Sequence, residues 1–290
     1  PVLYLVYVNT LLTEMHKAKL GVFTHNHTWA GIIAYADDLV FLAPDFDTLK
    51  DQLEMLSKWN FRWRMRTNHG KTAVVRFGPD DGTPVPKLNI EGIPDLLVKD
   101  SYEYLGVTLQ SDLSISIHTS RKCGSLHSGR AKCQAMGAVW GQHTPSDSAA
   151  AWNTFGQSRI QYALGLWGHL PAASKNRATS IPAFTLLDRT QHIFAADALG
   201  CTNRARYHPL LCTLGLNSIH TLTLLAQLRF WRKLDSSPSD RLPNIIHRHN
   251  SHLALQNPTI QCSAFETWET AALRLFTAAS PSLQNDISLY

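Results

Sequence analysis

At about residue 110 the apolar pattern of this 290-residue chain changes period, and one kind of regular layer cannot absorb both halves. Upstream, apolar residues come in short β-branched runs bounded by turn residues, the signature of half-buried strands. The stretch "LGVFTHNHTWAGIIAYADDLVFLAP" reads as strand, polar turn, strand, tight turn and strand, with "HNH" and "ADD" as turn signals and Pro44 as the stop. Before it, Leu3, Val6, Tyr7, Leu11, Leu12 and Met15 recur at helical spacing over residues 1–17. After it, Asp45 is placed to cap a helix to about Arg64, with Leu49, Leu53, Leu56 and Trp59 or Trp63 inward. Short strands are expected at "TAVVRFG", "KLNIEGI" and "YEYLGVTL", the first two separated by the Gly- and Pro-rich "PDDGTPVPK". Downstream only amphipathic helical segments remain, near 114–141, 146–169, 175–199, 216–234 and 260–279. They are punctuated by "TPSD", "HLPAAS", "GCTNRARYHP" and "SSPSDRLP". The expected class is α+β, with a mixed unit followed by an all-helical one and a boundary near 110–115.

Composition narrows the function classes. Apolar residues make up 44% and charged residues 17%, which suits a globular chain. The excess of 27 Lys and Arg over 22 Asp and Glu leans only weakly toward an anionic partner. Cys123, Cys133, Cys201, Cys212 and Cys262 stand far apart without the spacing of a zinc site, so no zinc is expected and the thiols read as buried apolar groups. The sequence shows no signal-peptide pattern and no apolar run long enough to span a bilayer, and the expectation is no membrane partner. The chain opens on Pro1 directly into an apolar helical run, and the expectation is a fragment of a larger fold.

The pair Asp37–Asp38 stands inside the apolar run "IIAYADDLVFLA". At about 5 Å and an effective dielectric near 20, two such charges repel by roughly 3 kcal/mol. Ile32, Ile33, Val40, Phe41 and Leu42 on either side argue for a buried hairpin, where the repulsion is relieved by a raised pKa or a bound cation. Hard oxygen donors suit magnesium or manganese, which keep several waters and share phosphate ligands. The dipeptide alone allows equally a polar turn between two core strands.

The surrounding motifs resemble, in order, the palm of reverse transcriptases, and most closely those of non-LTR (LINE-like) retrotransposons. "LYLVYVNTLL" is similar to the helix after that family's Gly-rich, template-contacting segment. "AYADDLVFLA" resembles its YxDD hairpin, "NHGKTAVVRFG" the following Asn…Lys-Thr motif, and "YEYLGVTL" the strand pair that grips the primer end. "TLLDRTQHIFAADALG", "LLCTLGLNSI" and "LLAQLRFWRKL" are similar to the helical region after the polymerase in these elements. The likeness is strong over about 1–110 and weaker over about 110–235. It implies a partial palm with primer-grip strands over 1–112, thumb-like helices over 113–170 and a helical C-terminal region over 171–290.

The resemblance also implies roles. Asp37 would bind two catalytic Mg2+ (or Mn2+) ions and Asp38 would support the site; Lys71 would sit near the incoming triphosphate. Tyr35, which shares a side with Asp37 if pairing runs to the tip, would lie against the primer, and Tyr104, Leu105, Gly106 and Val107 would hold the primer end. Gly106 fits a β-bulge equally well. Basic residues gather at Arg62, Arg64, Arg66 and Lys71, and again at His118, Arg121, Lys122, Arg130 and Lys132. The second group is expected on a thumb helix that tracks duplex phosphates; a solvated helix face explains either group as well. "RLPNIIHRHNSH" is expected to be a polar linker between helices, with another contact or a metal site as the alternative. The implied partners are an RNA template, a DNA primer and deoxynucleoside triphosphates. One departure matters: the family takes a further metal-binding Asp, and its fingers, from segments upstream of the opening helix. The expectation is therefore RNA-directed DNA polymerase ancestry with no polymerisation by this chain alone, its missing partner being the N-terminal part of the enzyme. The alternatives are a non-catalytic nucleic-acid-binding remnant or a non-functional product of a decayed element; a nucleotide cyclase fits the "YLGV" strand less well.

Overall fold

The computed structural model describes residues 2–24, 27–78, 90–93, 96–139, 142–168 and 182–256. They divide into two units: Pro1–Glu103 with Leu109–Leu113, and Tyr104–Thr108 with Ser114–Tyr290.

In the first unit, α1 (Val2–Ala18) leads to the short pair β1 (Val22–Phe23) and β2 (Trp29–Ala30), then to the hairpin β3 (Ile32–Tyr35) and β4 (Asp38–Phe41). Next comes α2 (Phe46–Trp63), whose first turn is capped by Asp45 accepting from Thr48 N–H at 2.7 Å. The core is the seam Val8, Leu11 and Met15 of α1 against Leu53, Leu56 and Trp59 of α2, with Ile90 and Ile93. Three of the helical-period residues, Leu3, Val6 and Tyr7, lie outside that seam and are exposed. At its root the hairpin is organised by a buried polar group. Gln52 Nε2 donates to the carbonyls of Leu20, Gly31 and Leu42 at 3.2, 3.1 and 3.1 Å, and Trp29 Nε1 also donates to Leu20 O. Gly21 and Gly31 let these backbones meet: a Cβ on Gly21 would lie 2.2 Å from Gly31 Cα.

After a 3₁₀ turn at His69–Lys71, β5 (Ala73–Val74) pairs in parallel with β6 (Leu97–Val98). The sequence pattern anticipates antiparallel pairing throughout and no strand at 97–98, because a two-residue strand carries no period. Of "KLNIEGI" the structure describes 90–93, which form the bridge Ile90↔Ile93; 87–89 and the whole of "PDDGTPVPK" lie outside the described residues. The hairpin β7 (Ser101–Tyr104) and β8 (Val107–Gln110) carries the chain from one unit into the other, and its turn belongs to the second.

The second unit is helical. Its elements are α3 (Ser116–Ala135), α4 (Pro145–Ala151) running into a π-helical turn (Trp152–Gln157), α5 (Ser158–Gln161), α6 (Leu164–Trp167), α7 (Pro182–Ala198), α8 (Tyr207–Leu214), α9 (Ile219–Asp235) and α10 (Leu242–Gln256). Leu126, Cys133, Trp152, Ile160, Trp167, Leu187 and Phe194 centre its core, with Trp152 stacked on Phe194 at 4.5 Å. The helix expected over 146–169 is broken at Tyr162–Ala163, where Ala163 takes φ 54°. The "linker" at 241–252 is instead the start of α10: Asn244 is buried and donates to the carbonyls of Leu234, Asp235 and Ser237, closing the end of α9. Of the thiols, Cys123 and Cys133 are buried, and burial pushes both up in pKa, but Cys201 and Cys212 are exposed, contrary to expectation. Cys262 and the helix expected at 260–279 lie outside the described residues. Among the described residues no single helix is long and apolar enough to cross a membrane.

Candidate functional site

The β3–β4 register (Ile32↔Phe41, Ile33↔Val40, Ala34↔Leu39, Tyr35↔Asp38) leaves Ala36 and Asp37 as a two-residue turn. Alternation fixes what each face meets. Ile32, Leu39 and Phe41 pack toward the α1–α2 core, so Ile33, Tyr35, Asp38 and Val40 form the outward face. Tyr35 is thus the cross-strand neighbour of Asp38, not of Asp37, which the turn carries. The tip is open: Tyr35 is 63% exposed and both acids are exposed, so the buried hairpin inferred from its apolar flanks is buried on one face only. Ala36 takes φ 50°, and a positive φ at the first central residue alone is the II′ pattern, which favours glycine. An alanine there costs about 1 kcal/mol, supported by the paired strands on either side. The sequence reading overlooked Tyr4: burial, then the charges of Asp37 and of Asp38, raise its phenol pKa, so the acid pair's field reaches the first turns of α1.

Lys71 ends the 3₁₀ turn with its side chain exposed, and its carbonyl accepts from the Tyr102 hydroxyl. It makes no ion pair with Asp37 or Asp38. In the basic group around it, Arg62 pairs with Glu14 at 2.8 Å and Arg64 is the left-handed C-cap of α2, both uses internal to the unit.

In the second unit the "YLGV" segment forms a turn with Leu105 at φ 47° and Gly106 at φ 75°, the I′ pattern. That conformation accounts for Gly106 without a bulge. Two of the expected basic residues stand beside it: Arg121 donates to Thr108 Oγ1 at 3.0 Å, and Lys122 Nζ lies 5.8 Å from the centre of the Tyr162 ring. Others do not. His118, expected on the basic face, is buried, and its Nδ1 accepts from Thr108 N–H at 3.1 Å, which requires that nitrogen to be unprotonated. Arg130 donates to Asp197 at 3.3 Å beside Gln134, bracing α3 against α7. Lys132 is exposed on α3.

The metal implied by the resemblance can be weighed against the donors present. Among the described residues no three His, Cys, Asp or Glu side chains gather into a metal site. Asp37 and Asp38 are hard donors, exposed, and no cationic side chain among the described residues pairs with them. They fit a divalent ion that takes the rest of its shell from water, phosphate or further polypeptide, and do not form a closed cage.

No curated protein and no solved structure gives a significant match to this chain. Residues 1–109, which hold the acid-tipped hairpin, Lys71 and most of the β7–β8 hairpin, match the family described as reverse transcriptase (RNA-dependent DNA polymerase).

Proposed function

We propose that this chain is part of an RNA-directed DNA polymerase of the non-LTR retrotransposon type: palm elements over 1–112, then thumb-like and further helices. The carrying observation is the turn Ala36–Asp37, which holds two neighbouring carboxylates in the open beside Tyr35, within the stretch that matches the family. Asp37 and Asp38 would hold divalent metal, which when bound activates the primer hydroxyl and neutralises the leaving pyrophosphate. Tyr35 flanks the acids on the outward face, and Lys71 offers a cation to the triphosphate. The Tyr104–Val107 turn with Arg121, Lys122 and Lys132 provides salt-sensitive contacts to template and primer, braced by Arg130.

Among the described residues no third carboxylate joins Asp37 and Asp38 to complete a two-metal site, and the apolar side chains of Leu3, Val6, Ile33 and Tyr35 are each exposed. We therefore infer that a further carboxylate comes from polypeptide outside this sequence, and that the chain alone does not extend a primer. Primer extension on a homopolymer RNA template with Mg2+ or Mn2+ tests this. The expected result is no Asp37-dependent incorporation; robust incorporation abolished by Asp37→Asn would overturn it. The second reading, a nucleic-acid binder without catalysis, is favoured by the exposure of Arg121 and Lys132. It predicts duplex binding unchanged by Asp37→Asn and no metal binding at the acid turn.

A further inference from the structure

A closed circuit of contacts surrounds the Tyr104–Thr108 turn. Tyr162 Oη donates to Leu105 O at 2.7 Å, and its ring lies 3.3 Å from where a Cβ on Gly106 would stand. On the other limb, Thr108 N–H donates to His118 Nδ1 at 3.1 Å. The two anchors are themselves joined: the His118 ring meets Trp167 edge-on at 5.2 Å, and Trp167 Nε1 donates to Tyr162 O at 2.8 Å. Tyr162 reaches the turn because the helix breaks there; it is extended (φ −61°, ψ 124°) between α5 and α6, with Ala163 left-handed after it. Tyr162 is still 55% exposed, with the Lys122 ammonium over its ring.

We propose that Tyr162 is a positioning residue for the polymerase reaction: it locks the Tyr104–Thr108 turn onto the start of α3, so that the turn, Arg121 and Lys122 meet a recessed primer end as one rigid surface. This rests on the function proposed above. A two-residue turn with a leucine at positive φ is strained and exchanges shape unless something over-determines it. A phenol bonded to the carbonyl of the strained residue does so from outside the hairpin, and its ring ties the turn to Lys122, while Arg121 bonds Thr108 of the turn directly.

The test uses the full chain and a fluorescein-labelled RNA–DNA hybrid, either with a recessed DNA 3′ end or blunt, followed by anisotropy across a salt series. The wild type is expected to prefer the recessed end. Tyr162→Phe, which removes one hydroxyl, is expected to lose about fivefold in affinity for the recessed hybrid. Its blunt-end affinity and melting temperature should be unchanged, a pattern that a merely structural role does not produce. Gly106→Ala, which strains the turn at φ 75° and presses a methyl onto the same ring, is expected to weaken binding of the recessed hybrid together with some loss of melting temperature, and it serves if Tyr162→Phe does not fold. A wild-type preference that survives both substitutions would overturn the role of Tyr162 and leave the polymerase reading standing. A wild type that binds neither hybrid, or binds both without preference, would overturn that reading and the role together.

Discussion

Among the described residues two tight hairpins close through two-residue turns, and they are supported at opposite ends. The acid hairpin of the first unit is held at its root, where Gln52 gathers the carbonyls of Gly31 and Leu42 while Ala36 and Asp37 stand free at the tip. The "YLGV" hairpin is held at its tip, where Tyr162 and His118 grip both limbs of the turn. A turn that offers carboxylate oxygens needs its tip clear, because any cationic partner would occupy the donors. A turn that works through its backbone shape needs that shape fixed. Both spend a positive φ on a non-glycine residue, Ala36 in one and Leu105 in the other, but only the second has outside support for it.

The largest effect that can break this comparison is at the root of the acid hairpin. Gln52→Leu removes three hydrogen bonds at about 1 kcal/mol each, leaving Leu20 O to Trp29 Nε1 and Gly31 O to the Leu42 N–H, and is expected to destabilise the first unit by about 3 kcal/mol, read by urea denaturation. A loss under about 1 kcal/mol would show that the hairpin does not depend on its root. Next, His118→Ala removes the acceptor for Thr108 N–H and the edge contact to Trp167, and should cost about 2 kcal/mol in the second unit. Hydrogen exchange should report faster opening at Thr108 and no change at Asp38.

Gln52 and Tyr162 mark where the fold ceases to be legible in the sequence. The acid hairpin, the Asp45 cap and the switch from strand to helix were legible because their signals are local: a period, a cap, a turn residue. Gln52 sits on the expected inner face of α2, but its partners lie at residues 20, 31 and 42, and nothing in the local pattern asks for a buried amide. Tyr162 is hidden for the same reason: its partner is 57 residues away, and neither Gly nor Pro marks the helix break that releases it. The polar start of α10 read as a linker because Asn244 and His247 look like surface residues until α9 packs over them. That the acids face outward from a turn is legible in the sequence, but the exposure of the hairpin's outer face is not, because apolar flanks show that one face is buried and do not show the state of the other.

A smaller effect separates the carboxylates of the two units. Burial raises the pKa of Asp188, against the Tyr207 hydroxyl it accepts from and the nearby His220 and His208. The folded state therefore holds that proton more tightly than the unfolded chain. The contribution to stability is complete below the ordinary value of about 4 and is lost as pH rises through the folded one. Melting temperatures between about pH 4 and 7 should show this decline, and Asp188→Asn should flatten it. Smallest of all, Ala36→Gly relieves the positive φ and should stabilise the acid hairpin by about 0.5 kcal/mol while leaving its ligands in place. A loss of stability there would mean that Ala36 is not strained.

The most direct measurement of the central claim is manganese binding to the intact chain by water-proton relaxation, for the wild type and for Asp37→Asn and Asp38→Asn. The acid turn should bind Mn2+ weakly, near millimolar as expected for an incomplete oxygen set, and either substitution should abolish the binding without moving the melting temperature. Manganese binding that is absent from the wild type, or unchanged in both variants, would contradict it.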